Sequence, residues 1–164
     1  MGIFKLSLKI IGQIIFVIIF FSTLHAKNLD KFSEANYVSD YFLGILLLND
    51  DKYHNSSKFL KKLNGLEKSH VNYSTKYLYS VVNSGDFNEA FKYSRKLEKQ
   101  KLDSFESNLI IGIFYLKNSN FDQAKKYLLK AKSVNSGFVL NNYVSSSLYN
   151  WSNLENSNLG SSVI

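Results

Sequence analysis

Histidines and paired carboxylates are the side chains from which this sequence could build an acid–base or metal site. Beyond residue 26 the chain has His54, His70 and one adjacent acid pair, Asp50 and Asp51. His54 falls in the first turn of an expected helix and His70 in a loop, and the pattern places no partner beside either ring. The acid pair lies in a predicted turn, where aspartate is favoured for backbone reasons. We therefore expect both histidines to be exposed surface residues and the protein not to be an enzyme.

Composition excludes further kinds of site. The 164 residues include no cysteine and no proline, and 20 Lys and Arg against 13 Asp and Glu give a net charge of +7. Without cysteine the chain has no disulfide framework, thiolate zinc site, iron–sulfur cluster or thiol nucleophile. It also lacks a Gly-rich phosphate loop, a His-Glu-x-x-His motif, a nucleophile elbow and an EF-hand loop. We expect no catalytic residue, no metal ligand and no cofactor, in a single domain made mostly of helices.

The segment from Met1 to Ala26 has the pattern of an export signal. Lys5 and Lys9, with no acid, precede an almost wholly apolar run over residues 10–21, and small and polar residues then lead to Ala26, where a signal peptidase could cut. That run is shorter than the roughly 20 residues that span a bilayer. We expect a signal-peptide helix in residues 1–26 and an exported, periplasmic protein. The alternative retains residues 10–21 as an inner-membrane anchor.

A 34-residue period runs through the rest of the chain. Three segments that begin at Asp51, Gly85 and Ser119 align without gaps. Each contains an aromatic residue, a small residue three positions later, a second aromatic after three more and an apolar residue after four more, all on one helical face. The sets are Tyr53, Ser56, Phe59 and Leu63; Phe87, Ala90, Tyr93 and Leu97; and Phe121, Ala124, Tyr127 and Ala131.

Each of these predicted helices follows a short turn and an earlier apolar stretch. The earlier stretches cover residues 37–48, 73–82 and 105–116, each long enough for three helical turns. Gly44 precedes Ser56 by the same interval as Gly112 precedes Ala124, so small residues would meet where two helix axes come closest. The unit is therefore a helix, a turn and a second helix, and neighbouring units must stack to bury their apolar faces.

The turns also carry helix-start signals. Asp86 with Glu89, and Asn120 with Gln123, have the spacing of a capping box. In that motif the first side chain accepts from a backbone amide that has no partner within the helix, and the third residue reaches back. We expect second helices to begin directly after Asp86 and Asn120.

On these residues the chain resembles the tetratricopeptide repeat (TPR) family, whose units are helical hairpins with a period of about 34 residues. The matching positions are Leu43-Gly44, Tyr53, Phe59 and Leu63; Gly85, Phe87, Ala90 and Leu97; and Ile111-Gly112, Tyr115, Phe121, Ala124 and Ala131. The chain departs from the pattern at Leu78, where the family has glycine, and at Asp40, Ser74 and Asn108, where it has an aromatic residue. The resemblance implies an all-α fold, a right-handed α-solenoid of three repeats and a terminal helix.

The domain boundaries follow the period. A lead-in over residues 27–36 precedes a repeat domain at 37–152, and a polar tail covers 153–164. The repeats are 37–70, 71–104 and 105–138, followed by a partial unit at 139–152. Serines 145 to 147 suit a last helix that caps the stack with a polar outer face. The alternative is that the chain is the front part of a longer protein.

The resemblance also implies that the first helices line a concave surface that binds a protein or peptide. The candidates are Tyr41, Ile45, Leu48, Asn49, Thr75, Tyr79, Val82, Asn83, Glu106, Leu109, Ile113 and Lys117, of which about half should be buried. Those we assign to partner binding are Tyr41, Asn49, Thr75, Tyr79, Asn83, Glu106 and Lys117. Apolar side chains would supply burial, and Asn amides would bond a peptide backbone. The family's charged clamp for chaperone tails is missing, so a cytosolic co-chaperone is not expected.

Basic residues recur at the repeat spacing on the second helices. They are Lys58, Lys61, Lys62, Lys92, Arg95, Lys96, Lys125, Lys126 and Lys130. We expect a solvated convex face, with weak association with a membrane surface or anionic envelope polymer left open and no nucleic-acid binding. The sequence thus predicts a non-catalytic scaffold for protein–protein interaction in the cell envelope. The alternatives are a membrane-anchored TPR assembly factor and an envelope hydrolase or glycan-binding protein.

Overall fold

The computed structural model describes residues 35–70, 72–134 and 138–156, and within them the chain is all α-helical, as predicted. The helices are α1 (Ala35–Asn49), α2 (Tyr53–Lys61), α3 (Tyr73–Asn83), α4 (Phe87–Lys99), α5 (Phe105–Lys117), α6 (Phe121–Val134) and α7 (Val139–Asn156). A short 3-10 turn, Leu66–Lys68, precedes α3. From Ser39 onward the described residues belong to one compact unit.

The predicted signal segment, most of the lead-in and the end of the polar tail lie outside the described residues. Among the helices that the structure does describe, none combines the length and the apolar character needed to cross a bilayer. The expected first helices are confirmed to within two residues at each end, and α2, α4 and α6 begin at the predicted aromatic residues Tyr53, Phe87 and Phe121.

The turn inside each helix pair has the same geometry three times. Asp51, Gly85 and Ser119 occupy its left-handed position, with φ of 57°, 83° and 55°. Each donates its amide to the carbonyl three residues earlier, and the following residue donates to the carbonyl five residues earlier. This is the Schellman arrangement, which satisfies carbonyls left open at a helix end. The sequence period is therefore also a period of local structure.

The predicted helix starts at Asp86 and Asn120 are confirmed by the first hydrogen bond of the capping box, in which the cap side chain accepts from the amide three residues later. Asp86 Oδ1 accepts from the amide of Glu89 at 3.1 Å, and Asn120 Oδ1 accepts from the amide of Gln123 at 3.3 Å. A complete reciprocal capping box occurs at the start of α5, between Ser104 and Ser107. The sequence search missed that box because serine replaces the expected Glu or Gln at its third position.

A glycine faces a leucine where α1 meets α2 and where α5 meets α6. A Cβ atom on Gly44 would stand 2.7 Å from Leu60 Cδ2, and one on Gly112 would stand 2.9 Å from Leu128 Cδ2. Ser56 Oγ also donates to the carbonyl of Gly44 at 2.8 Å. The close approach predicted from the two glycines is confirmed, and it leaves no room for a side chain at either of them.

In the middle helix pair, α3 and α4, the large and the small residue of this contact exchange places. Leu78 lies one repeat period after Gly44, and Ser94 lies one repeat period after Leu60. Both are buried. The departure from the family pattern at Leu78 is therefore matched by a small residue at the equivalent place on α4. The combined volume at the crossing is roughly kept, which is what a close-packed interior requires.

Successive helices pack against one another, and the first helices of neighbouring units also touch, α3 with α5 and α5 with α7. The small and apolar repeat positions are fully buried, at Ser56, Ala90 and Ala124 and at Leu63, Leu97 and Ala131. The aromatic positions of the predicted core face are less uniform: Tyr93 and Tyr127 are buried, Tyr53, Phe59 and Phe121 are half-buried, and 55% of Phe87 is exposed. As the first residue of α4, it lies at the edge of the packed layer.

A buried carboxylate joins the loop after α2 to α4. The side chain of Glu67 is fully buried and accepts from the amide of Gly65 at 2.7 Å, from Tyr93 Oη at 3.5 Å and from Lys96 Nζ. Burial raises the pKa of Glu67, but the hydrogen bonds from Lys96 and from the amides of Glu67 and Gly65 outweigh it. The pKa therefore lies below its ordinary value of 4.5.

The same contact recurs one unit later. Tyr127 and Lys130 of α6 follow Tyr93 and Lys96 by one repeat period, and both bind Glu98, with Tyr127 Oη 3.0 Å from Oε1. Several other members of the predicted basic face are also paired. These ion pairs are Lys61 with Glu89, Lys62 with Asp40, Arg95 with Glu98, and Lys130 with Asp103. The positive surface on the second helices is therefore smaller than the sequence indicates.

The expectation of a polar outer face on the last helix is wrong. Ser145 and Ser152 are buried, and four large apolar side chains of α7 are exposed, those of Val139, Leu140, Tyr143 and Trp151. The two serines lie two turns apart on the face that packs against α6, where small side chains allow close approach. Each hydroxyl bonds its own helix, Ser145 Oγ to Asn141 O at 2.8 Å and Ser152 Oγ to Tyr149 O at 2.6 Å.

Exchanging the small and the large residue where α5 crosses α6 tests whether this contact requires one small and one large side chain. We expect Gly112→Leu to lower the free energy of unfolding by about 3 kcal/mol, because the new side chain overlaps Leu128. Adding Leu128→Ser, which copies the middle pair, should recover at least half of that loss. Urea unfolding of the parent, both single variants and the double variant measures the coupling. A double variant less stable than Gly112→Leu would contradict the rule.

The carboxylate network predicts acid sensitivity. A carboxyl whose pKa is lowered on folding adds stability above its unfolded pKa and loses it as pH falls through the folded value. For Glu67 and Glu89, whose pKa values are lowered, the loss begins near the ordinary 4.5 and continues at lower pH. We expect the decrease in Tm between about pH 5 and pH 3 to be smaller for Glu67→Gln than for the parent. Asp122→Asn, at an exposed position, is the control, and equal decreases for Glu67→Gln and the parent would refute this role of Glu67.

Candidate functional site

An apolar pocket of about 320 Å³ opens between α3, α4 and α5. Its wall includes two partly exposed apolar residues, Phe87 at 55% and Ile113 at 43% exposure. A single charged side chain, Lys117, completes the lining. The residues around it are Val82, Phe87, Ile110, Ile113, Phe114 and Lys117.

The floor of this pocket is held by aromatic stacking. Phe114 of α5 stacks on Phe91 of α4, with ring centroids 3.8 Å apart. Tyr115 meets Phe91 edge to face at 5.8 Å and stacks on Tyr127 of α6 at 5.7 Å. Because α4, α5 and α6 contribute rings to one stack, the α4 and α5 sides of the pocket are tied to the core. The apolar pocket is therefore preformed.

A second, polar pocket of about 410 Å³ lies between α1 and α3. It contains three of the predicted partner-binding residues, Asn49, Thr75 and Tyr79. Tyr53 supports it from α2: its ring meets that of Tyr79 edge to face at 5.9 Å, and its hydroxyl donates to Asp51 at 2.5 Å. The hydrogen bond to Asp51 raises the pKa of the Tyr53 phenol, so this hydroxyl remains a donor. The full lining is Leu48, Asn49, Asp51, Thr75, Lys76 and Tyr79.

Both pockets are reached from one face of α3. Thr75 and Tyr79 line the polar pocket and Val82 lines the apolar one, at spacings of four and three residues that place them on the same side of the helix. An extended ligand that crosses α3 can therefore contact both. We call this surface the α3 surface and define it by the residues that line the two pockets.

The remaining predicted site residues are placed differently. Tyr41 packs against His70, with ring centroids 5.1 Å apart, and lines neither pocket. Asn83 donates its amide to the carbonyl of Tyr79 at 2.8 Å and so closes its own helix end. Glu106 is half-buried in the first turn of α5, away from both linings. Of the seven residues assigned to partner binding, only Lys117 lines the apolar pocket.

Burial of the twelve groove candidates also differs from expectation. About half were expected in the core, but only Leu48 is buried. Five are half-buried and six are exposed. The half-buried residues are Tyr41, Ile45, Val82, Glu106 and Leu109. First helices therefore present more open surface than the sequence indicates. The residues that the sequence reasoning missed are Phe87, Ile110 and Phe114 in the apolar pocket and Asp51 and Lys76 in the polar one. For Ile110 and Phe114 the available signal was that α5 carries apolar residues on every side.

The two histidines have different surroundings. His54 is exposed, as predicted. His70 is not an exposed surface residue: it is half-buried beside Tyr41, and its Nδ1 is buried with no hydrogen-bond partner among the described residues. Burial against Tyr41 follows from the loop that carries His70 turning back toward α1. Within residues 35–70, 72–134 and 138–156, no group of three acids or histidines could hold a metal ion.

A further recess, of about 430 Å³, is lined by residues of α2, α3 and the start of α4, among them His54, Lys58 and Asp86. Lys61 Nζ lies 2.9 Å from Glu89 Oε1 across it. The hydrogen bond from Lys61 lowers the pKa of Glu89, and that from Tyr77 adds to the effect against the opposing effect of burial. The facing charges compensate each other, so the recess is better described as an ion-paired helix contact than as a ligand site.

Comparison of the chain with protein-family models, curated proteins and solved structures finds no match in any of the three. Functional inference therefore depends on the two pockets of the α3 surface and on the repeated helix pairs that shape them.

Proposed function

We propose that this protein is a non-catalytic scaffold that binds an extended segment of another protein on the α3 surface. The observation that carries the proposal is the apolar pocket, in which Phe87 and Ile113 remain exposed above a fixed aromatic floor. Its volume, about 320 Å³, is enough for one or two large apolar side chains and lies at the small end of ligand pockets. Preformed apolar pockets of this kind hold the anchor residues of peptides.

The architecture we propose around it is a right-handed α-solenoid of TPR-like hairpins. Three identical turns at the repeat spacing support it, as do the contacts of α3 with α5 and of α5 with α7. In such a stack the first helices lie side by side, which fits a ligand that runs across α1, α3 and α5.

The charge of Lys117 indicates which residue would stand next to the apolar anchor of the bound peptide. Lys117 stands in the last turn of α5, where the helix dipole favours a cation, and its side chain lines the apolar pocket. A carboxylate beside an aromatic or aliphatic anchor would pair with it. At the polar pocket, Asn49, Thr75 and Tyr79 offer side-chain donors and acceptors to a peptide backbone. The proposed ligand is therefore a peptide segment with an apolar anchor next to an acidic residue.

The proposal also includes where in the cell the protein works. The charged and apolar segments of residues 1–26 support export, and we propose that the scaffold works in the cell envelope, in the periplasm. The alternative is an assembly factor that residues 10–21 tether to the inner membrane. Both place the same α3 surface on the outer side of that membrane.

Selection of peptides by the full chain tests the binding site. In mild detergent, the immobilised chain should enrich peptides with an aromatic or aliphatic residue next to Asp or Glu from a random display library. We expect Ile113→Glu to weaken binding of the selected peptides by at least about tenfold, since it places a charge in the apolar wall. Isothermal titration or fluorescence anisotropy measures the Kd.

The matched control is Leu129→Glu, an equally apolar and exposed position on α6 outside the α3 surface. Lys117→Glu should change the preference of the selected peptides from acidic to basic neighbours of the anchor. Unchanged affinity of Ile113→Glu, or selection without an apolar anchor, would refute the peptide site.

Sequencing of the N-terminus tests the location. If residues 1–26 are a cleaved signal, the mature protein isolated from the envelope fraction will begin at Lys27. An intact Met1 in membrane-bound protein that resists salt extraction would instead support the anchored alternative, and protein recovered from the cytoplasm would contradict both.

A further inference from the structure

The last helix has its apolar residues on the side away from the packed layer. Phe138, just before the helix, and Val139, Leu140, Tyr143 and Trp151 on it are between 53% and 85% exposed. Except for Phe138, they lie with the exposed Ser147 and Asn150 on one side of α7, opposite the buried Ser145 and Ser152. We call this side the α7 stripe.

The α7 stripe is larger than an ordinary surface patch. From the exposed fractions, its four large side chains present on the order of 600 Å² to solvent, at the upper end of the largest patch on a typical monomer. A stable interface buries about 800 Å² on each partner, so the stripe with its polar rim supplies most of one half of an interface.

The absence of charged residues on the α7 stripe favours a second copy of this chain as the partner. No acidic or basic residue occurs from Phe138 to Asn153, although the whole chain carries a net charge of +7. An acidic partner would find no cation on this stripe. A second copy of the stripe brings no like charges into direct opposition, which is the main obstacle to self-association of a basic protein.

The order of residues along the helix also fits a second copy. If two α7 helices cross antiparallel about a two-fold axis at the level of Ser145, Trp151 faces Val139 of the other copy. Asn150 then faces Leu140, and Tyr143 faces Ser147. Large side chains thus stand opposite smaller ones at every pair, over about 18 Å of helix. A two-fold interface requires this self-complementarity.

We propose that the protein forms a two-fold homodimer through the α7 stripe, with the two α7 helices antiparallel. The α3 surface is built from other helices and is not needed for this contact. Dimerisation would join two peptide-binding surfaces in one particle and so raise avidity for a partner with two binding segments.

Cysteine cross-linking of the full chain tests the geometry, because the natural sequence contains no cysteine. Leu140→Cys and Asn150→Cys chains are mixed, oxidised mildly and separated on non-reducing gels. We expect the mixture to form disulfide-linked heterodimers at several-fold higher yield than either chain alone. Phe87→Cys, at an exposed position of the α3 surface, should not cross-link with either. A parallel arrangement would instead link Leu140→Cys to itself.

Sedimentation velocity provides the second readout. Tyr143→Lys with Trp151→Asp should shift the dimer to monomer with unchanged helicity, because both side chains are largely exposed and contribute little to folding. Leu46→Cys on α1 covers the alternative in which the α7 stripe packs on the exposed apolar side chains of α1. Preferred linkage of Leu46→Cys to Leu140→Cys, equal yields at all positions, or a monomer in the parent would each overturn the proposal. Because the peptide site is separate, loss of the dimer with intact peptide binding leaves the proposed function standing.

Discussion

Close contact between a small residue and a leucine, at the place where two helices of a pair meet, is the constraint on which the rest of the structure depends. At Gly44 and Gly112 the opposing leucine occupies the space of the missing side chain. This contact fixes the distance between the helix axes and therefore where each pair presents its outer faces. The middle pair roughly keeps the combined volume with Leu78 and Ser94, so a departure from the repeat pattern becomes a repacked version of it.

Contacts between units use a different chemistry. Glu67 and Glu98 each receive a tyrosine hydroxyl and a lysine ammonium at equivalent repeat positions. Apolar burial alone does not fix the rotation of one pair relative to the next, because it has no direction. Hydrogen bonds to a carboxylate have direction, and at the buried Glu67 an unpaired carboxylate would be costly. These networks therefore contribute to the alignment of first helices on which the α3 surface depends.

The two surfaces proposed for binding occur where the repeat pattern is incomplete. Phe87 opens α4 at a position the period assigns to the core, yet it forms part of the apolar pocket wall. On α7, Ser145 and Ser152 take the inner face, and the large side chains of the α7 stripe remain exposed. In both places apolar side chains that are not needed for packing within the chain remain available to a partner.

The sequence by itself determined the helices, their turns and their pairing, because these depend on the periodicity of apolar residues and on local capping residues such as Asp86 and Asn120. It also identified Asn49, Thr75 and Tyr79, which the structure brings to one pocket. Tertiary structure alone decided that Tyr41 and Asn83 are engaged elsewhere, that Phe87 lines a pocket and that Ser145 and Ser152 of α7 face inward. The physical reason is that helical periodicity gives the angle of a side chain around its own axis. Whether that side is covered depends on the distance and rotation of neighbouring helices, which are set by packing contacts between residues far apart in the chain.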